Sequence, residues 1–180
     1  MILGVVLAGG LSTRFGSDKA VAHLDGRTLI ARAVDALSAW CDKVVIAGRD
    51  SGPETGNTAC IPDWPRAGMG PLGGIAAGLR HAHKHDYDGI LTCGVDSVAL
   101  PQDLLSDLSP APAYLETQPV IGHWKTDNAG AVEAILQSEG RHSMIAFAKS
   151  VNARAVKTAS TPANINTPAD LAAMEQNDGI

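Results

Sequence analysis

Cysteine is scarce in this chain of 180 residues: three are present, at positions 41, 60 and 93. Their odd number argues against a disulfide framework and their spacing offers no CxxC zinc pair, so a reducing compartment fits best. An excess of positive charge is also missing, since 14 Lys and Arg stand against 19 Asp and Glu, a formal charge of −5. General nucleic-acid binding needs many cations to displace counterions from phosphates and is therefore disfavoured. Any anionic ligand must be held by local positive groups. Long apolar runs are absent too. The stretch Ile2 to Leu11 is too short to span a bilayer, lacks the basic flank of a signal peptide, and passes through Leu7-Ala8-Gly9-Gly10 without the cysteine that lipid attachment would need. The expectation is a cytoplasmic protein with no membrane contact. Repeats, low-complexity tracts and linkers are not found, so residues 1–180 are read as one domain. With 45% apolar residues, a chain of this size buries roughly 70% of its unfolded surface and needs no staples.

What is present follows an alternating pattern. Gly4 to Ala8 is a continuous apolar run ending in glycines, as in a strand buried on both faces. Leu29, Ile30, Ala33, Val34, Leu37 and Trp40 recur at helical spacing behind Thr28 as N-cap. Val44 to Ala47 is a second strand, and a glycine- and proline-rich loop covers Gly48 to Gly70. A helix from Pro71 to His83 takes its proline at the first position, and Gly89 to Val95 is a third strand. Strand, helix, strand, helix, strand with short connections predicts a parallel sheet with right-handed crossovers. Beyond it, Pro101 to Leu108, Ala129 to Gln137 and Pro168 to Gln176 read as helices, and Ala113 to Glu116, Val120 to Trp124 and Ala155 to Thr158 as strands.

The chemistry concentrates in Leu7-Ala8-Gly9-Gly10-Leu11-Ser12-Thr13-Arg14-Phe15-Gly16-Ser17-Asp18-Lys19. Glycines let backbone N–H groups approach oxyanions, and Arg14 and Lys19 can offset a triphosphate carrying roughly four negative charges. The glycines alone would suit a plain tight turn; the charged residues beside them favour phosphate. No window matches the P-loop pattern G-x-x-x-x-G-K-[ST].

This loop resembles the signature LAGG-x-S-x-R-[MF]-G-x-D-K of the MobA-type nucleotidyltransferase family, the relatives of molybdenum cofactor guanylyltransferase. The resemblance covers nearly the whole chain. Ile61-Pro62-Asp63 falls at an acidic nucleoside contact, Gly70-Pro71-Leu72-Gly73-Gly74 at a Pro-Leu-x-Gly segment, Asp96 at the metal-binding Asp, and Asn164-Ile165-Asn166-Thr167-Pro168 at the closing Asn-x-Asn-Thr-Pro motif. It implies a three-layer α/β Rossmann-like nucleotidyltransferase fold, a mostly parallel central sheet with helices on both faces. It implies transfer of GMP from GTP to the phosphate of molybdopterin, with release of pyrophosphate and with Mg²⁺ as cofactor. Leu7, Ala8, Gly9, Gly10, Lys19, Asp63 and Asp96 would bind nucleotide, Arg14, Lys19 and Asp96 would carry the catalysis, and Asp96 would hold the metal. Arg141, Asn164 and Asn166 are the candidate acceptor-binding residues. Transient contacts with other molybdenum cofactor proteins would follow. Two departures stand near these positions: the family's proline two residues after the metal-binding Asp is replaced in Asp96-Ser97-Val98, and a nucleotide-touching asparagine of some members is replaced by Ala47.

The role of Asp96 also has a physical basis. A carboxylate at the C-terminal end of a central parallel strand sits where open α/β sheets bind ligands, and hard oxygens suit Mg²⁺. The alternative is a helix-capping Asp, which the gap to Pro101 disfavours. Asn166 reads equally as a second metal oxygen or as part of a helix start; Gly140-Arg141-His142-Ser143 could grip a phosphate through Arg141 and a helix N-terminus, but an ordinary capped helix start is the favoured reading. No Ser/His/Asp or Cys/His constellation is evident, and a phosphate monoester nucleophile needs none, because it is already anionic.

Other patterns point elsewhere. Gly68 to Gly73 satisfies G-x-G-x-x-G without a strand before it, which makes a nicotinamide oxidoreductase improbable. His81, His83 and His85 have spacing that a transition metal could use, although histidines near a helix C-terminus more often complement its dipole. The rival functions are a nucleotidyltransferase that uses CTP or a sugar phosphate, and a module that binds nucleotide without turnover.

Overall fold

A computed structural model of the chain describes residues 1–10, 16–158 and 162–177. The elements in chain order are β1 (Ile2–Leu7), β2 (His23–Leu24), β3 (Arg27–Thr28), α1 (Leu29–Ser38), β4 (Lys43–Ala47), β5 (Ala59–Ile61), α2 (Pro71–Lys84), β6 (Gly89–Gly94) and β7 (Ser97–Val98). They continue with α3 (Leu104–Asp107), β8 (Ala113–Leu115), β9 (Gln118–Lys125), α4 (Ala129–Gln137), α5 (Met144–Ser150), β10 (Arg154–Val156), β11 (Ala163–Asn164) and α6 (Pro168–Asn177). Among the described residues seven strands form one sheet in the order β10-β8-β9-β6-β1-β4-β5. All neighbours are parallel except at β9, which runs against β6 and β8.

The expected alternation is therefore present, and its physical cause is two-sided burial. Side chains of a strand alternate between faces. Along β1, Val6 joins Ile30, Ala33, Val34 and Leu37 of α1 on one face. Leu3 and Val5 join Leu72, Ile75, Ala76 and Leu79 of α2, with Val132 of α4 and Phe147 of α5, on the other. Every strand of the central trio is apolar on both faces because helices cover both. Thr28 caps α1 as expected, its hydroxyl accepting from the Ala31 amide at 3.3 Å.

Several boundaries differ from the sequence expectation. The helix from Pro101 to Leu108 contracts to Leu104–Asp107, because Pro110 disfavours helical geometry at Ser109 and only Leu104 and Leu108 supply buried anchors. Trp40 lies beyond the end of α1. The strand expected over 155–158 is Arg154–Val156, and the one over 120–124 extends to Gln118–Lys125. Inside the long loop, β5 adds an edge strand to β4. None of the helices among the described residues is long and apolar enough to cross a membrane.

The topology sets the place of the site. β1 leads through α1 to β4 on one side and has β6 on the other, so its C-terminal end lies at a reversal of strand order, where open α/β sheets leave a crevice. Leu7 pairs with Ala47 on one side and with Gly94 on the other, which brings the exits of all three strands to one rim.

Candidate active site

A cavity of about 380 Å³ opens at this rim. Its wall combines Leu7 at the end of β1, Ala8, Gly9 and Gly10 from the loop that follows, Lys19, Asp63, the start of α2 at Gly70 and Pro71, Asp96, and Asn166. Seven of the residues expected to act on nucleotide thus meet in one place, with Asn166 beside them. Arg14 lies outside the described residues.

Lys19 is aimed by its neighbour. The Asp18 carboxylate caps a single turn of 3-10 helix over Lys19–Val21, Oδ1 accepting from the Ala20 amide at 3.2 Å. From that turn the Lys19 ammonium donates to Asp96 Oδ2 at 3.0 Å and to the Ile165 carbonyl at 2.9 Å. Asp96 follows β6 by two residues, and its carboxylate folds back over Gly94, where a Cβ would stand 2.4 Å from Oδ1. The Asp96 carbonyl accepts from the Val98 and Ile165 amides, each at 3.1 Å. Asp96 therefore caps no helix. It anchors the end of β6 to the C-terminal segment, and its carboxylate faces the cavity.

At the other side of the cavity Asp63 packs against glycine backbone. A Cβ on Gly9 would lie 2.6 Å from Asp63 Oδ2, and one on Gly48 would lie 2.9 Å from Oδ1 and 2.5 Å from the Gly9 Cα. Gly48 also has φ +85, a conformation that side chains resist. Burial raises the Asp63 pKa above the ordinary carboxylate value. No hydrogen-bond donor to this carboxylate is found among the described residues, and it lies on the cavity wall.

The loop that carries Asp63 is clamped to α2. The Trp64 amide donates to the Gly73 carbonyl at 3.1 Å, and the Arg80 guanidinium lies 5.2 Å from the Trp64 ring centroid. Arg80 also donates to Glu133 of α4 at 2.7 Å.

The acceptor candidates separate. Asn166 lines the cavity through a helix start: the amides of Asn166 and Thr167 donate to Asp170 at 2.9 and 2.8 Å, and the Asp170 amide donates to the Thr167 hydroxyl. Both readings of Asn166 are thus compatible with its position. Asn164 is exposed on β11, opposite Ser97, and does not line the cavity. Arg141 is exposed and does not line it either. Ser143, two residues on, caps α5 by accepting from the Ala146 amide at 3.1 Å, an ordinary capped helix start.

The remaining patterns do not build a second centre. The His81 and His85 rings lie 4.4 Å apart, and among the described residues no group of three His, Cys, Asp or Glu could hold a metal. The glycine pattern at 68–73 opens α2 only after Pro62 to Met69 intervene behind β5, so it lacks the strand of a dinucleotide site. Burial pushes the Cys41 thiol up to about 12 and the Cys93 thiol upward as well, which makes both poor nucleophiles. Sequence reasoning missed Ile165, whose contribution is a backbone carbonyl, and Arg49, whose sole signal was a basic residue just after a glycine at the strand exit.

Residues 4–156 match the MobA-like NTP transferase domain. The chain belongs to this family. The molybdenum cofactor guanylyltransferase of Acidiphilium cryptum (strain JF-5) is 34% identical to this MobA-like NTP transferase, the match covering 95% of the chain and 92% of the relative. The molybdenum cofactor guanylyltransferase of Rhodobacter capsulatus is 35% identical, with 97% and 95% covered. Among solved structures, the molybdopterin-guanine dinucleotide biosynthesis protein A of Archaeoglobus fulgidus matches with a TM-score of 0.75 at 20% identity, covering 99% of this chain and 98% of that one. A cytidylyltransferase from Thermus thermophilus matches with a TM-score of 0.64 at 14% identity. At these identities the structural likeness speaks for the Rossmann-like nucleotidyltransferase fold and leaves the choice of base to the site.

Proposed function

We propose that this MobA-like NTP transferase moves GMP from GTP to the phosphate of molybdenum-molybdopterin, forming the guanine dinucleotide cofactor and releasing pyrophosphate. The observation that carries the reading is the pairing of ends within one cavity: Lys19 with Asp96 at one side, and at the other Asp63, a part-buried carboxylate that finds no hydrogen-bond donor among the described residues. The first suits a triphosphate. The second suits the N1–H and 2-amino group of guanine, a paired donor edge that adenine lacks and that cytosine is too small to present in the same place. The names of the Acidiphilium and Rhodobacter relatives support the same activity.

The chemistry needs little from the protein beyond placement and charge. An oxygen of the acceptor phosphate forms a bond to the α-phosphorus of GTP, and the bond from that phosphorus to the bridging oxygen of the β-phosphate breaks. The electron pair leaves with pyrophosphate. The nucleophile is already anionic, so no side chain has to remove a proton. Lys19 stands where it can neutralise charge as pyrophosphate departs, and Gly9 and Gly10 let the backbone approach the phosphates closely. Arg14, in the same loop, is proposed as a second cation.

Mg²⁺ fits the donors present. Asp96 offers a hard carboxylate and Asn166 an amide oxygen on the same cavity wall, and so sparse a set suits a cation that keeps waters and arrives with substrate phosphates. When bound, the metal would supply neutralisation of phosphate charge. Asn164 and Arg141 are retained as proposed acceptor contacts at and beyond the rim. The reading places the enzyme in the cytoplasm, in transient contact with other molybdenum cofactor proteins.

The test is direct. Purified protein with Mg²⁺, molybdopterin and each nucleoside triphosphate in turn should give a dinucleotide and pyrophosphate with GTP. Product with CTP alone would replace the guanylyl assignment, and binding without product would favour a non-catalytic module.

A further inference from the structure

A carboxylate in a triphosphate-binding loop is an electrostatic liability, and Asp18 sits immediately before the lysine of that loop. Left unpaired, it would compete for the Lys19 ammonium and repel the incoming phosphates. The structure occupies both of its oxygens. Arg49 Nη1 donates to Oδ1 at 2.8 Å, and Nη2 lies 2.7 Å from Oδ2. The Ala20 amide adds a third contact, to Oδ1. The guanidinium beside it holds the Asp18 carboxyl below the usual carboxylate range. Arg49 is itself anchored: it follows Gly48 at the exit of β4, donates through Nε to the Ser51 carbonyl at 3.2 Å, and leaves its side chain 19% exposed. It does not line the cavity that holds Lys19 and Asp96, as Asp18 does, but lines an adjoining one with Gly9, Gly10 and Asp18.

We infer that Arg49 is a positioning residue for nucleotidyl transfer, clamping and neutralising Asp18 so that the turn bearing Lys19 is fixed and Asp18 does not compete with the triphosphate for its ammonium. This rests on the reading of the cavity as a nucleotide triphosphate site. The two-pronged contact matters because a planar fork sets orientation as well as charge, which a lysine cannot reproduce. Through it, the exit of β4 holds Asp18 on the loop after β1, and the next residue, Lys19, reaches Asp96 just past the end of β6. The three strand ends become one mechanical unit at the place where phosphate must be held.

The test is a double-mutant cycle of Arg49→Gln, Asp18→Asn and the two combined, read by kcat and KM for GTP and by the GTP-induced shift in melting temperature, which needs no acceptor. Arg49→Gln alone is expected to lower kcat by about 10- to 100-fold, the scale of a small misplacement at a reacting centre. The melting temperature of the free protein should move little. Asparagine still caps the Lys19 turn but carries no charge. Adding Asp18→Asn should therefore bring kcat back to within about three-fold of the Asp18→Asn variant, a coupling that a contact in the folded structure produces and independent sites do not. An Arg49→Gln penalty of the same size with and without Asp18→Asn would overturn the inference, because Arg49 would then act on the nucleotide directly or on folding alone. If Arg49→Gln is too unstable to assay, Arg49→Lys enters the same cycle with the same two outcomes. Wild-type turnover in the same series keeps the two readings apart: absence of GTP turnover counts against the guanylyltransferase, while turnover without Asp18–Arg49 coupling counts against the positioning role.

Discussion

Lys19 and Asp96, 77 residues apart in sequence, meet at 3.0 Å and join the loop after β1 to the end of β6. Their side chains are 12% and 25% exposed, so the pair is shielded from water yet open to the cavity. In such a setting a charge is worth more than on the surface, and its loss costs more.

Lys19→Ala should therefore cripple turnover. The expected loss is about 2 to 4 kcal/mol of transition-state stabilisation, the scale for removing one preorganised donor. Steady-state rates at saturating GTP measure it, and a kcat near wild type would remove Lys19 from the mechanism.

Asp96→Asn tests the metal. The amide keeps the shape and can still accept from Lys19, but a hard cation loses a charged oxygen. The rate should need a higher Mg²⁺ concentration while the melting temperature stays close to wild type. An unchanged metal titration would contradict the role.

Asp63 should govern both base choice and pH dependence. GTP is expected to bind about 10²-fold or more better than CTP or ATP, because a wrong base leaves the carboxylate without donors. Burial raises its pKa, so GTP affinity should begin to fall, as pH drops, at a higher pH than an ordinary carboxylate would give. For the free protein the sign is opposite. A raised native pKa means that stability is greatest while Asp63 is protonated and is lost as pH rises through that pKa. Asp63→Asn should thus melt no lower than wild type at neutral pH while losing GTP affinity. Thermal shifts across pH, with and without nucleotide, report both effects, and GTP at about 100 times its Kd should add roughly 2.7 kcal/mol in the wild type.

Gly48→Ala should damage the site from its floor. The new Cβ would meet the Gly9 Cα at 2.5 Å at a residue with φ +85, and strain of this kind costs about 1 to 3 kcal/mol. A lower melting temperature together with a raised KM for GTP is expected. An unaltered KM would show that the loop relaxes without disturbing the nucleotide.

How much of this was legible in sequence depended on the kind of signal. The central strands and α1, α2 and α4 announced themselves because two-sided burial leaves long apolar patterns. β5 did not, since three residues among glycines and prolines are too few for any period to show. The β2–β3 hairpin carries only a two-residue signal: Asp25-Gly26, with φ values of 52 and 77, is the left-handed pair that favours a tight hairpin turn. Lys19, Asp63 and Asp96 were readable as residues, but their meeting depends on the crossovers that bring strand exits together. The Ile165 carbonyl leaves no chemical trace in sequence because it acts through backbone, and Arg49 leaves only a basic residue after a glycine because it acts through a partner.

The Ile165 contact also sets an order of events in time. Its side chain is fully buried with Leu24, Leu29 and Val98, and its carbonyl receives the Lys19 ammonium. Chains leave the ribosome N-terminus first, so the glycine loop, Asp63 and Asp96 are all made well before residue 165. Until that residue emerges and folds back, the lysine lacks one of the groups that hold it. Completion of the lysine's surroundings thus follows synthesis of the sheet that frames them, and a nascent chain stalled after the sheet is built would have a crevice whose lysine is not yet fully secured.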